Sequence, residues 1–285
     1  MRLLVLGARS WIGFRLAEAI RQTLPEWKLL GTSSVGGLAI PGYVDCVAVE
    51  NSVAVEGLIE HYRPTVIVNL LRYENELGVA IHHVVIDACI RRGIFYCYMS
   101  SALALDASTV LDLTEDLPAC SCSPYGHFKQ VCEEKLLSQP SCQSLIIRFS
   151  SIHGWSPHKP SRTESLLEKL ANNQEVSVDQ GIRQNRMLDT TLASAILDLI
   201  RIQALGIVHL GTIDSSDEAE FLKRVATAFG MDSELIQLAK LREVNLAVRP
   251  QRIYDLFGSR YKCTEQDTIN GLLACPSLAG FRRQR

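Results

Sequence analysis

The chain has 285 residues, 47% of them hydrophobic and 21% charged, with a formal net charge of −2. This is the composition of a globular protein. It excludes a disordered chain, a broad basic face for nucleic acid and an acidic tail. No apolar run approaches the roughly 20 residues of a membrane span, and the Met1 end enters a strand-like run too short for a signal-peptide core, so a cytoplasmic protein away from membranes is expected.

In chain order, apolar runs at Leu3–Leu6, Lys28–Gly31, Tyr43–Val47, Thr65–Asn69, Ile94–Met99 and Ser144–Arg148 read as strands. Between them, helical spacing marks Trp11–Gln22, Ser52–Tyr62, Glu76–Arg92 and Pro124–Leu137. The rhythm changes after Arg148. A loop at Ser156–Ser161 is followed by a helix (Thr163–Ala171), a short strand (Glu175–Val178), a helix (Thr190–Gln203), a strand (Gly206–Leu210) and a helix (Asp217–Phe229). Phe281–Arg285 reads as a frayed end. The alternation predicts an α/β protein of Rossmann type, a doubly wound parallel sheet with a smaller C-terminal substrate-binding lobe. The dinucleotide-binding domain is placed at 1–150 and the lobe at 151–285, with about 190–215 returning to the sheet.

The nine cysteines are odd in number. Cys46, Cys89 and Cys97 stand in apolar runs, where a free thiol is a small core residue. Cys120 and Cys122 form the one close pair, with no second group at zinc-ligand spacing. Free thiols and no metal are expected.

Two motifs carry chemistry. Gly7-Ala-Arg-Ser-Trp-Ile-Gly13 follows the first strand and opens a helix. There, glycines allow a tight bend and let a pyrophosphate approach free helix amides. Ser10 takes the middle position of the turn. The second strand ends in Gly31-Thr-Ser-Ser34, without the acid that would hold a ribose diol. Arg9 can pair with a 2′-phosphate, supported by Thr32 and Ser33, or stand solvated; the pattern favours NADP(H) over NAD(H). The second motif is Tyr125-Gly-His-Phe-Lys129, 24 residues after Ser101. Positions i and i+4 share a helix face, so an ammonium beside the phenol is expected to lower its pKa and suit it to acid–base work at a carbonyl.

These blocks resemble the extended short-chain dehydrogenase/reductases, and within them the dTDP-4-dehydrorhamnose reductase-like, sugar-nucleotide-binding branch. Gly7–Gly13 is similar to the cofactor turn, Arg63–Tyr73 to R-P-D-V-V-I-N-A-A-A-Y, and Tyr98–Asp106 to I-S-T-D-Y-V-F-D. Tyr125–Lys129 with Glu133 is similar to Y-G-x-x-K-x-x-x-E, Arg148–Gly154 to R-T-S-W-V-Y-G, Gly206–Gly211 to G-x-Y-H-L, and Arg249-Pro250 to a C-terminal R-P. The resemblance implies NADPH-dependent reduction of a 4-keto-deoxy sugar nucleotide. Ser101 stands at the catalytic Thr/Ser position, Tyr125 is the acid, and Lys129 orients ribose and tunes the phenol. Gly7, Ser10, Trp11, Ile12 and Gly13 would meet the cofactor phosphates, Asn69, Leu70 and Leu71 the pyrophosphate, and Phe149, Ser150 and Ser151 the nicotinamide.

The departures are specific. Ala102-Leu103 stands where the branch has a substrate-contacting Asp-Tyr, so Ala102 occupies a substrate position without its acid. Leu70-Leu71-Arg72 replaces three alanines, and Gly78 falls where a helix Asn supports a proton relay. Gln184–Leu188 replaces G-x-P-T-Y; Arg186 within it is expected to face a nucleotide diphosphate or to stand solvated in a loop. A non-catalytic, NADP-binding regulatory subunit is therefore a second expectation. An epimerase or dehydratase is a third, against which Ala102 argues. The expected partner is a small molecule, a nucleotide sugar. No nucleic acid or membrane is expected, and a homodimer is compatible with the family.

Overall fold

The computed structural model describes residues 1–34, 40–49, 51–72, 74–156 and 159–274. Tyr73, part of the Ser156–Ser161 loop and the Phe281–Arg285 end lie outside them. The chain forms two compact units. The first comprises Met1–Ser108, Asp116–Arg148 and Ala193–Val208; the second comprises Thr109–Glu115, Phe149–Leu192 and His209–Arg285.

Strand and helix alternate through the first unit. β1 (Arg2–Leu6), α1 (Trp11–Thr23), β2 (Lys28–Ser33), β3 (Asp45–Ala48) and α2 (Ser52–Tyr62) come first. They are followed by β4 (Val66–Asn69), α3 (Glu76–Arg92), β5 (Phe95–Met99), α4 (Pro124–Leu137) and β6 (Ser144–Phe149). The four helices start at Ser10, Asn51, Asn75 and Ser123, each of which accepts an otherwise orphaned backbone N–H. Gly93 ends α3 at φ +63°, a left-handed conformation that glycine adopts without steric cost.

The later elements are β7 (Ser151–His153), α5 (Arg162–Ala171), β8 (Val176–Gln184), β9 (Arg186–Leu188), α6 (Asp189–Arg201) and β10 (Gly206–Leu210). They continue with β11 (Ser216–Asp217), α7 (Glu218–Ala228), β12 (Ile236–Leu246), α8 (Gln251–Phe257) and α9 (Glu265–Ala274). The main sheet has the order β10-β6-β5-β4-β1-β2-β3, and its pairings from β3 through β6 are all parallel. Helices cover both faces, so β4 and β5 are buried along their whole length and read as continuous apolar runs. Strand order reverses between β1 and β4, the point at which an open parallel sheet leaves a crevice beyond its carboxyl ends.

The second unit has its own core of Trp155, Leu166, Leu167, Leu170, Phe221, Leu222 and Val225 with their neighbours. Here the expected elements differ most from those observed. β8 runs to Gln184 instead of stopping at Val178, and β12 and β9 were not anticipated. β8 and β12 pair in parallel through two register shifts, and most of β12 is exposed. A strand exposed on both sides carries no alternating apolar signal. Among the described residues, no helix is long and apolar enough to cross a membrane.

Candidate active site

The glycine turn sits at the switch point of the sheet. Gly7 has φ +85°, and a Cβ there would stand 3.3 Å from the Leu70 carbonyl carbon, so β1 and the end of β4 meet at backbone distance. A Cβ on Gly13 would come within 2.5 Å of the Ala8 carbonyl oxygen. Gly13 is therefore required by close approach, and Gly7 by its left-handed φ. Ser10 caps α1, its hydroxyl accepting the Gly13 N–H at 3.1 Å. The cradle and the helix N-terminus fit a dinucleotide pyrophosphate, with one of the first-turn amides already engaged by Ser10. Trp11 and Ile12 open the helix, both half-buried.

Arg9 is exposed at the turn, where a 2′-phosphate is within its chemistry. Thr32 is not available for that role. It is buried, and its hydroxyl accepts the Gly7 N–H at 3.2 Å, tying the turn to β2. Ser33 is buried as well.

The Asn69 side chain, at the end of β4, is engaged within the protein. Its Oδ1 accepts the Leu71 N–H at 3.0 Å and its Nδ2 donates to Tyr96 Oη at 2.8 Å. Tyr96 Oη lies 2.8 Å from His82 Nδ1, and His82 Nε2 lies 2.8 Å from the Cys132 carbonyl oxygen. A carbonyl only accepts, so Nε2 carries the proton and Nδ1 accepts from Tyr96. This buried chain holds the Leu70–Leu71 segment from below. Burial pulls the pKa of His82 down to about 3, so the ring is neutral. Gly78 lies in the first turn of α3, where its N–H donates to Asn75 Oδ1 at 3.1 Å.

Ser101, Tyr125 and Lys129 converge. Ser101 follows β5 and opens a short 3-10 turn, Ala102–Leu105, its hydroxyl accepting the Leu103 N–H at 3.2 Å. α4 approaches this turn closely because position 126 is glycine: a Cβ there would run into the Leu103 carbonyl oxygen and Ser121 Oγ. That approach brings the Tyr125 phenol close enough to the Ser101 hydroxyl for the hydroxyl to favour the phenolate. Lys129, 2% exposed, donates from Nζ to the Met99 carbonyl oxygen at 2.8 Å. Its Nζ stands 4.8 Å from the Tyr98 ring centre and 5.6 Å from that of Tyr125. The other half of the serine pair, Ser100, bonds Glu133, which is fully buried and paired with Arg148 at 2.6 Å. Glu133 and Arg148 thus clamp α4 to β5 and β6.

The electrostatics differ from the expected tuning. Burial raises the Tyr125 phenol above its ordinary pKa, outweighing the lowering by Arg72 and the nearby Ser101 hydroxyl; Glu74 pushes it further up. Burial also pulls the Lys129 ammonium down to about 8. The cation against the phenol ring is Arg72, its Cζ 5.0 Å from the ring centre. The sequence marked Arg72 only as an added charge.

Ala102 is buried beside Ser101 and presents only a methyl. The remaining expected contacts lie in the second unit. Ser150 Oγ donates to Gln184 Oε1 at 3.2 Å, and Ser151 Oγ lies 3.1 Å from His153 Nε2; Phe149 is half-buried. Arg186 does not face a nucleotide diphosphate. It is fully buried, bonded to Glu218 at 3.2 Å and to Glu265, and lies over the Phe221 ring at 4.5 Å. The two carboxylates and the ring hold it in the core.

Other arginines take the exposed position. A cavity of about 530 Å³ in the second unit is lined by Arg183 and Arg249 together with Asn185, Leu111 and Ile213. Arg249 pairs with Asp112 at 2.5 Å, and Arg183 donates to Ser215 Oγ at 2.9 Å. Arg249 was visible within the Arg-Pro block, whereas nothing distinguished Arg183.

Residues 1–254 match the sequence profile of the family described as the RmlD substrate binding domain. The chain belongs to this family. The resemblance read from the blocks is the one the profile shows, and the Rossmann-type sheet is shared with solved structures. A dTDP-4-dehydrorhamnose reductase from Bacillus anthracis, in complex with NADP, is 16% identical and superposes with a TM-score of 0.79, covering 95% of this chain and 98% of that one. The reductase from Clostridium acetobutylicum is 15% identical, with a TM-score of 0.78 and coverage of 96% and 98%. A dTDP-glucose 4,6-dehydratase from Bacillus anthracis, in complex with NAD, is 17% identical, with a TM-score of 0.81 and coverage of 95% and 96%. At these identities the likeness is one of fold. No curated protein sequence matches the chain.

Proposed function

We propose that this member of the RmlD substrate-binding-domain family is an NADP(H)-dependent reductase of a carbonyl on a sugar nucleotide, with Tyr125 as the proton donor. One observation carries the reading: Ser101, Tyr125 and Lys129 converge in the same unit as a glycine cradle at the switch point of the sheet. The solved reductases and dehydratase with this fold support a nicotinamide cofactor and a sugar-nucleotide substrate. Gly7, Ser10 and Gly13 would hold the cofactor phosphates, and Arg9 a 2′-phosphate. When bound, NADPH supplies a hydride. Ser101 holds the substrate oxygen, and a phenol kept protonated by burial is in the right state to give its proton as charge develops there. The second unit has a cavity of its own, in which Arg183 and Arg249 suit an anionic group and the exposed side chains of Leu111 and Ile213 an apolar one.

A second reading, a cofactor-binding regulatory subunit without turnover, draws on two observations: Ala102 offers no polar contact, and Gly78 offers no relay amide. The test mixes the protein with NADPH or NADH and a panel of keto-sugar nucleotides and follows nicotinamide absorbance and product. Oxidation of NADPH in preference to NADH, falling by about 10²–10⁴-fold in Tyr125→Phe with cofactor binding intact, is expected. Tight NADPH binding with no turnover on any substrate, in wild type and variant alike, would establish the regulatory reading instead.

A further inference from the structure

We propose that Arg72 is the positioning residue that tunes Tyr125 by its charge, the part that spacing alone assigns to Lys129. The inference deepens the reading of Tyr125 as proton donor and takes its functional meaning from it. The groups facing the phenol come from three segments. Lys129 lies one turn along α4, Ser101 follows β5, and Arg72 and Glu74 follow β4. Lys129 is committed elsewhere: its Nζ donates to Met99, is nearer the Tyr98 ring than the Tyr125 ring, and is fully buried. An ammonium pulled down to about 8 loses its proton over the pH range in which a phenol begins to ionise. A guanidinium keeps its charge throughout. Arg72 meets the ring face with Cζ 5.0 Å from its centre, and its only ion-pair partner among the described residues is Glu74, 3.7 Å away. Arg72 and Glu74 are thus an opposed pair at the phenol, one favouring the anion and the other disfavouring it.

The experiment reads the phenol directly, without turnover. A fluorinated tyrosine placed at position 125 gives a single fluorine resonance, and its greater acidity keeps the titration within the range where the protein is folded. In Arg72→Ala the titration midpoint should shift up, in Arg72→Lys most of that shift should be restored, and in Glu74→Gln the midpoint should shift down. A midpoint unmoved in Arg72→Ala overturns the proposal. So does an upward shift of equal size in Arg72→Ala and Glu74→Gln, which would report a loosened segment instead of a charge. Failure of the turnover assay would leave these shifts in place, whereas failure of the shifts would leave a Tyr125-dependent reductase tuned by burial and Ser101 alone.

Discussion

Lys129 shows how far a spacing rule reaches at the scale of one residue. The i, i+4 relation to Tyr125 was legible, and the two side chains do share a face; the depth at which that face is buried was not. Burial decides the charge. The folded-state pKa of about 8 lies below the ordinary lysine value of 10.5, so from about 8 upward the unfolded chain binds more protons than the folded one. Stability therefore rises with pH across that window, and the cost of the buried ammonium is greatest below it. Relative to Lys129→Met, the wild type should gain roughly 2–3 kcal/mol between about pH 7 and about pH 10, read by urea unfolding of both proteins at each pH. Arg186 carries the complementary lesson. A lone arginine in a polar stretch gives no sign that Glu218, Glu265 and Phe221, 32 to 79 positions away, will enclose it. Thr32 was misplaced for the same reason, since its partner is the Gly7 amide of a different strand end.

At the scale of elements, caps and apolar runs made the first unit readable. The boundaries of α2, α3 and α4 fall where helical spacing placed them, because a polar cap precedes each and an apolar face continues through it. β8 and β12 lack both signals: β8 is half-buried, β12 is largely exposed, and their pairing is interrupted by register shifts. The element that matters most for the chemistry is α4, whose approach to the Ser101 turn depends on Gly126. Gly126→Ala forces a methyl into the Leu103 carbonyl and Ser121, so α4 must back away. The variant should lose about 1–3 kcal/mol of stability and, if the proposed reaction holds, more turnover than NADPH affinity. Thermal unfolding beside steady-state kinetics would check both; unchanged turnover would show that the approach of α4 is not needed.

Across the whole molecule, each unit closes around a buried neutral imidazole. His82 in the first and His153 in the second are both pulled by burial to about 3, far below the ordinary 6.5. Unfolding lets them take up protons, so stability present above about pH 6.5 is lost progressively as the pH falls toward 3. At about pH 5 each should already cost about 2 kcal/mol. Chemical denaturation at pH 7 and pH 5 tests this, with His82→Gln expected to flatten its share of the slope. The fold class was legible because parallel strands buried on both faces write themselves as apolar runs. The interleaving of the units was harder to read, since the first recruits Ala193–Val208 after the chain has already built much of the second.

The chain from Leu71 through Asn69, Tyr96 and His82 to Cys132 has a direction as well as a place. Every donor in it points the same way, from the backbone amide beside the glycine cradle toward the helix that carries Lys129. With an amide at one end and a carbonyl at the other, the sequence of protons has a single satisfied arrangement. Such an arrangement conducts nothing. It behaves as a strut that links the cofactor side of the first unit to its catalytic helix, and it holds over the whole pH range in which His82 stays uncharged.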